Sequence, residues 1–223
     1  MRSFAATAPV TALVHIPAGR VRLVAADRAD TTVEVRPADA AKGQDVKAAE
    51  RVEVSFADGI LQVAAPEPER KLLGSSGTVE VTVHLPAGSR VDAEVAAGEL
   101  LGTGPLGEVV LETAQGPVAL EEAASARIRV QDGHITVGRL TGPAELSTRQ
   151  GDITVTEAVR GAVELRTERG DLVIGAAPGV SATLDAGTGH GRVANSFRNA
   201  EGAAAALTVR ATTSYGDITA RSN

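Results

Sequence analysis

Glycines recur through the second half of this chain at a nearly constant interval, and that interval limits the fold more than any other feature. Gly98, Gly116, Gly133, Gly151 and Gly170 follow one another at spacings of 18, 17, 18 and 19 residues. Gly189 follows after 19 and Gly216 after 27, so an insertion lies between these two, most naturally within Asn195 to Ala206. The flanks match as well. Ala144, Leu146 and Thr148 precede Gly151, and Ile153 and Val155 follow it. Val163, Leu165, Thr167, Leu172 and Ile174 stand in the same places around Gly170, and Ala126, Ile128, Val130, Ile135 and Val137 around Gly133. Polar residues fill the intervening positions. Each half is the period-two pattern of a strand with one buried face.

The inward series stops three residues before each glycine and resumes two after it, a gap of five. Simple alternation across an odd gap would turn the second strand inside out. The chain must turn a corner at the glycine, which accepts positive φ without a Cβ clash. A unit this short cannot bury its own apolar face, but stacked units bury a continuous core. The expected fold is therefore all-β: a single-chain parallel β-solenoid (β-helix) of about 18-residue coils over 91–223. A less regular N-terminal β region, continuous with it, covers 1–90. The alternative is an antiparallel β-sandwich in which Gln150-Gly151 and Arg169-Gly170 are hairpin turns. In a stack, the outward residues Glu112 and Arg129, Arg127 and Glu145, and Arg166 and Asp185 become neighbours about 4.8 Å apart.

The template returns around Gly19 and Gly59, and His15 to Gly19 (HIPAG) is echoed by His84 to Gly88 (HLPAG). Asp39 to Glu50 is charged and Ala-rich and suits a short helix; Pro66 to Gly77 is a long polar loop, the candidate for disorder or contact.

Composition narrows the function. Aromatic residues make up 2% of the 223 residues, there is no Trp, and the net charge is −6. Scattered, outnumbered basic residues and missing aromatic platforms argue against nucleic-acid binding. Without cysteine there are no disulfides, thiolate metal sites or cysteine nucleophiles. No apolar run approaches the ~18 residues of a membrane helix. The N-terminal stretch has no convincing signal-peptide core, so the chain is expected in the cytoplasm, without membrane insertion.

The residues after the glycines form a polar column: Glu99, Pro117, His134, Asp152, Asp171, His190 and Asp217. Stacking would set His134 beside Asp152 and Asp171 beside His190. That ladder is the one place where a divalent metal or a pH-sensitive pair would fit. A solvated corner explains the same residue types, because Asp and His tolerate turn geometry. No metal or cofactor is expected. Calcium-binding rolls need a nine-residue repeat, and Gly187 to Arg192 lacks the Gly-Lys-Ser/Thr of a phosphate loop. The four histidines, His15, His84, His134 and His190, lie in different units, and no Gly-x-Ser-x-Gly elbow occurs. Asp152 and Asp171 could pair as in pectin-cleaving solenoids, but the aromatic and basic groove residues of such enzymes are missing. The chain is expected not to be an enzyme.

The phrase Thr-x-x-Gly-Asp-Ile-x-Val stands at Thr148 to Val155 and, more loosely, at Thr167 to Ile174. With the ending Arg210 to Thr219 (RATTSYGDIT) and the opening Ala26 to Pro37 (ADRADTTVEVRP), it resembles a bacterial β-strand-repeat family labelled "putative adhesin", which has no assigned activity. The resemblance spans nearly the whole chain. It implies a β-solenoid and a non-catalytic role and carries over no functional residues. The expected function is a non-enzymatic structural or protein-interaction scaffold, self-associating through exposed ends or binding another protein. The alternative is an exported cell-surface adhesin or envelope-stress module.

Overall fold

The alternating segments fold into strands whose apolar residues share one buried face. The computed structural model describes residues 1–66 and 77–223, so nearly all of the polar loop expected over 66–77 lies outside the described residues. The chain forms two compact units, Met1–Gly116 and Pro117–Asn223.

The first unit contains β1 (Arg2–Ala5), β2 (Thr11–Ala26), β3 (Asp30–Pro37), α1 (Gly43–Arg51), β4 (Glu53–Ala57), β5 (Ile60–Ala64), β6 (Val79–Pro86) and β7 (Arg90–Gln115). Its centre is β2, which runs parallel to β7 with Gly19 opposite Gly98. On its other side β2 is shared: β5 lies parallel to its first half and β6 to its second. Outside these the pairing turns antiparallel, with β4 on β5, β3 on β6 and β1 on β3. Phe4 of β1 stacks on Phe56 of β4, ring centroids 5.2 Å apart. The expected short helix is α1, which packs on β3 and β6. Its buried Asp45 holds the flanking chain by accepting the N–H groups of Thr78 at 2.9 Å and Asp39 at 3.2 Å.

Two readings of this unit need correction. Gly59 is not a corner: Asp58 and Gly59, at φ 51° and 75°, make the hairpin turn between β4 and β5. Corners and hairpins both place glycine between alternating runs, and only the pairing tells them apart. The echoed HIPAG and HLPAG phrases do not align either. Gly19 faces Gly98, whereas Gly88 lies in the turn between β6 and β7.

The second unit contains β8 (Val118–Asp132), β9 (Ile135–Leu140), β10 (Ala144–Gln150), β11 (Ile153–Ala158), β12 (Gly161–Arg169), β13 (Leu172–Ala176), β14 (Ala182–His190), β15 (Val193–Ser196), β16 (Leu207–Tyr215) and β17 (Ile218–Ser222). Every pairing described within it is parallel, which sets the sandwich aside. One row runs β8, β10, β12, β16, β14; the other runs β8, β9, β11, β13, β17, β15. Like residues stack in columns, such as Ile128–Leu146–Leu165–Ala211 and Ile135–Ile153–Leu172–Ile218, all buried. This is the expected solenoid.

The stacking order departs from the chain order at one place. The coil β16–β17 lies between β12–β13 and β14–β15. The predicted insertion is therefore a return path: 197–206, with a 3₁₀ turn at Gly202–Ala204, brings the chain back one rung. Arg127 does meet Glu145, at 3.3 Å. Asp185 meets Arg210 at 3.2 Å rather than Arg166, because β16 intervenes.

Candidate functional site: the corner ladder

Gly133, Gly151, Gly170, Gly216 and Gly191 mark the corners, in stacking order. At Gly170, φ is +148° and a Cβ would lie 2.0 Å from the carbonyl oxygen of Gly151; at Gly151 it would lie 2.1 Å from that of Gly133. Successive backbones approach too closely at the corner for any side chain.

The flanking residues of the repeat each have a task in this close approach. The threonine three places before the glycine donates its hydroxyl to a carbonyl one rung away: Thr148 to Gly133, Thr167 to Gly151 and Thr213 to Gly170, each at 3.1 Å. Thr188 does the same to Gly216 at 2.9 Å. The aspartate after the glycine accepts a backbone N–H from the next rung: Asp152 from Asp171, Asp171 from Asp217 and Asp217 from Arg192, each at 2.8 Å. His134 begins the series, its Nδ1 accepting the Asp152 N–H at 3.0 Å and lying 3.4 Å from the Asp152 carboxylate. Thr-x-x-Gly-Asp is thus a stacking code. Replacing Thr167 by Val should leave the partly buried Gly151 carbonyl without this donor and lower stability by about 1 kcal/mol, measured by denaturant unfolding; an unchanged midpoint would deny the hydroxyl this part.

His134, Asp152 and Asp171 therefore stand in one column, as the spacing predicts. His190 stands outside it. The corner glycine of its coil is Gly191, two residues beyond the one assigned from spacing, and the corner residue is Arg192. His190 sits in the strand, its ring stacked on Tyr215 with centroids 4.8 Å apart. A signal for this register stood in the sequence, since Thr188 precedes Gly191 as Thr148 precedes Gly151. Among the described residues, no three His, Asp or Glu side chains converge as a metal-holding group.

Elsewhere, a shallow cavity of about 220 Å³ lies on the outward side of β5, β2 and β7. Leu13, His15, Gln62, Asp92 and Glu94 line it, with His15 Nδ1 3.2 Å from Glu94. Arg28 forks onto Asp30 at 2.9 and 2.8 Å, and this hydrogen bonding holds the Asp30 carboxyl below its ordinary range.

The fold and its ladders define a parallel β-solenoid locked at its corners by side chains. Residues 18–223 match the family described as Toastrack DUF4097, and the chain belongs to that family. Several solved structures are similar at low identity. A "putative adhesin" from Bacteroides fragilis is 10% identical over 98% of this chain and 95% of its own, with a TM-score of 0.46. A "putative lipid binding protein" from Parabacteroides distasonis is 11% identical over 98% and 95%, with a TM-score of 0.42. A "putative cell adhesion protein" from Clostridium sporogenes is 12% identical over 100% and 98%, with a TM-score of 0.34. No curated protein matches. No helix among the described residues is long and apolar enough to cross a membrane.

Proposed function

We propose that the chain is a non-catalytic scaffold that binds another protein through one outer face of its second unit. The two rows of that unit differ outside. The row of β8, β10, β12, β16 and β14 carries charges, with Glu145 bridging Arg127 at 3.3 Å and Arg129 at 3.4 Å. The other row also holds charges, Arg139 pairing with Glu157 and lying in register with Glu122, but at the start of its strands it presents a band of small uncharged side chains in register: Ala119, Thr136, Thr154, Val173, Thr219 and Ala194. That band carries the proposal. A stiff uncharged stripe loses little hydration when covered, and depletion of charge marks the centre of protein interfaces. The corner carboxylates favour the non-catalytic half of the reading, since Asp152, Asp171 and Asp217 each hold a neighbouring rung.

The test is cross-linked capture from native cells with the wild type and with Thr154→Lys/Val173→Lys, two outward changes. The same protein should be recovered reproducibly with the wild type and at least ~10-fold less with the variant, the loss expected from placing two unpaired charges at an interface centre. Equal recovery, or no partner with either chain, would overturn the proposal. Cell fractionation belongs beside it: a cytoplasmic pool agrees with this reading, whereas recovery in the envelope or the medium favours an exported adhesin.

A further inference from the structure

The outermost coil of the second unit ends in an unguarded strand edge. β14 pairs on one side with β16. Leu207 N–H donates to Ser181 O, which turns the odd-numbered groups from Ser181 to Gly187 towards β16 and the even-numbered ones away; the alternation ends at the corner, where His190 O accepts the Gly216 N–H. Of the outward groups, Ala182 N–H is taken by Arg198 O at 3.0 Å. Those of Leu184, Ala186 and Thr188 have no backbone partner among the described residues. Edge strands are normally blunted by charged side chains, above all Lys, or by Pro, bulges or inward charges. Thr183 to Thr188 holds no Lys, no Pro and no inward charge; its one charge, Asp185, is paired with Arg210.

Gly187 adds an independent observation. A Cβ there would meet nothing within 4 Å, and its φ is not in the left-handed region. The aligned positions in neighbouring coils hold Thr212 and, beyond it, Arg166. Nothing among the described residues asks for glycine at this point, and glycine inside a strand weakens it and often marks a close approach of another backbone.

We propose that a second copy of this chain supplies that backbone, the two β14 edges pairing antiparallel about a two-fold axis at Ala186. In this register Ala186 faces its counterpart, Leu184 faces the partner copy's Thr188, Asp185 faces its Gly187, and Thr183 faces its Gly189. On either side of the axis a larger side chain meets a smaller one. The even-numbered groups that point outward become the hydrogen-bonded pairs, and Asp185 with Gly187 becomes a close non-hydrogen-bonded pair. The inference rests on the scaffold reading and names one partner for it.

Sedimentation equilibrium across a wide concentration range tests it. The wild type should approach twice its 22.7 kDa. Gly187→Glu, which sets a carboxylate against the partner copy's Asp185 twice across the two-fold axis, should raise the dissociation constant by roughly 2- to 30-fold, from ~0.2–1 kcal/mol for each opposed like-charge pair. Gly187→Arg has similar bulk and the opposite sign, and should pair no more weakly than the wild type. Ala186→Pro removes a central N–H and should leave monomer, with thermal unfolding showing that it is folded. A wild type that stays at 22.7 kDa up to its solubility limit overturns the proposal, as does a dimer indifferent to the charge placed at 187. If the wild type is monomeric and still captures its partner through Thr154 and Val173, only the self-pairing fails. If the wild type dimerises as described but captures no partner, the face-binding proposal fails and the self-pairing stands; if both measurements are negative, both fall.

Discussion

Replacing Gly170 by alanine should destabilise the second unit by about 4 kcal/mol or more, a loss reserved for changes the fold cannot absorb. Two penalties combine. A φ of +148° is one that residues with a Cβ rarely adopt, and the added carbon would lie 2.0 Å from a backbone oxygen on the neighbouring rung. That oxygen cannot step aside, because Gly151 is held by its own rung and receives the Thr167 hydroxyl at 3.1 Å. Gly179→Ala is the control. Its φ is +78°, but nothing lies within 4 Å of the new carbon. It should lose only the conformational term, about 1–2 kcal/mol. Guanidinium unfolding of the two variants separates close approach from backbone strain. Equal losses would show that stacking distance has no part in the choice of glycine.

A charge in the inserted coil should disturb the molecule in an order that its sequence does not suggest. Val209 is fully buried in β16 between Val163 and Leu184. Val209→Asp buries a carboxylate without a partner, at several kcal/mol. Hydrogen exchange should then show protection lost together from β16, β17, β14 and β15, while β8 to β11 remain protected. The coil β14–β15 is earlier in the chain, yet its ladder partners are β16 and β17. Were the coils stacked in chain order, β14–β15 would rest on β12–β13 and keep its protection.

The regular coils were legible because corner and strand place conflicting demands on residue type. Only glycine fits the approach at Gly151 and Gly170, and only alternation buries Leu146 or Leu165 while Arg166 stays in water. The column His134, Asp152, Asp171 followed from that register. What stayed hidden depends on contacts between coils of similar pattern. Nothing local to β14 states whether it lies on β12 or on β16. Afterwards, two residues explain the choice. Arg192 has no acceptor to offer a following rung, so its coil ends the Asp ladder, whereas Asp217 continues it. Asn195, inward in β15 and exposed, suits the last layer, and Ala220 beside it suits a buried one. The hairpin at Gly59 is hidden for a related reason: a hairpin and a corner satisfy the same local pattern, and the difference lies in which strand answers.

The inserted coil also sets a timetable for synthesis. A ribosome delivers β14–β15 before the shelf on which they rest, and 25 residues separate Gly191 from Gly216. At ordinary elongation rates of about 5–20 residues per second, that coil waits on the order of seconds with no neighbour below it. Vectorial folding can therefore proceed rung by rung only as far as β13. The remaining two coils must settle together once the later one has emerged, so a nascent chain stalled before Leu207 carries a loose, sticky strand pair that chaperones and proteases can recognise.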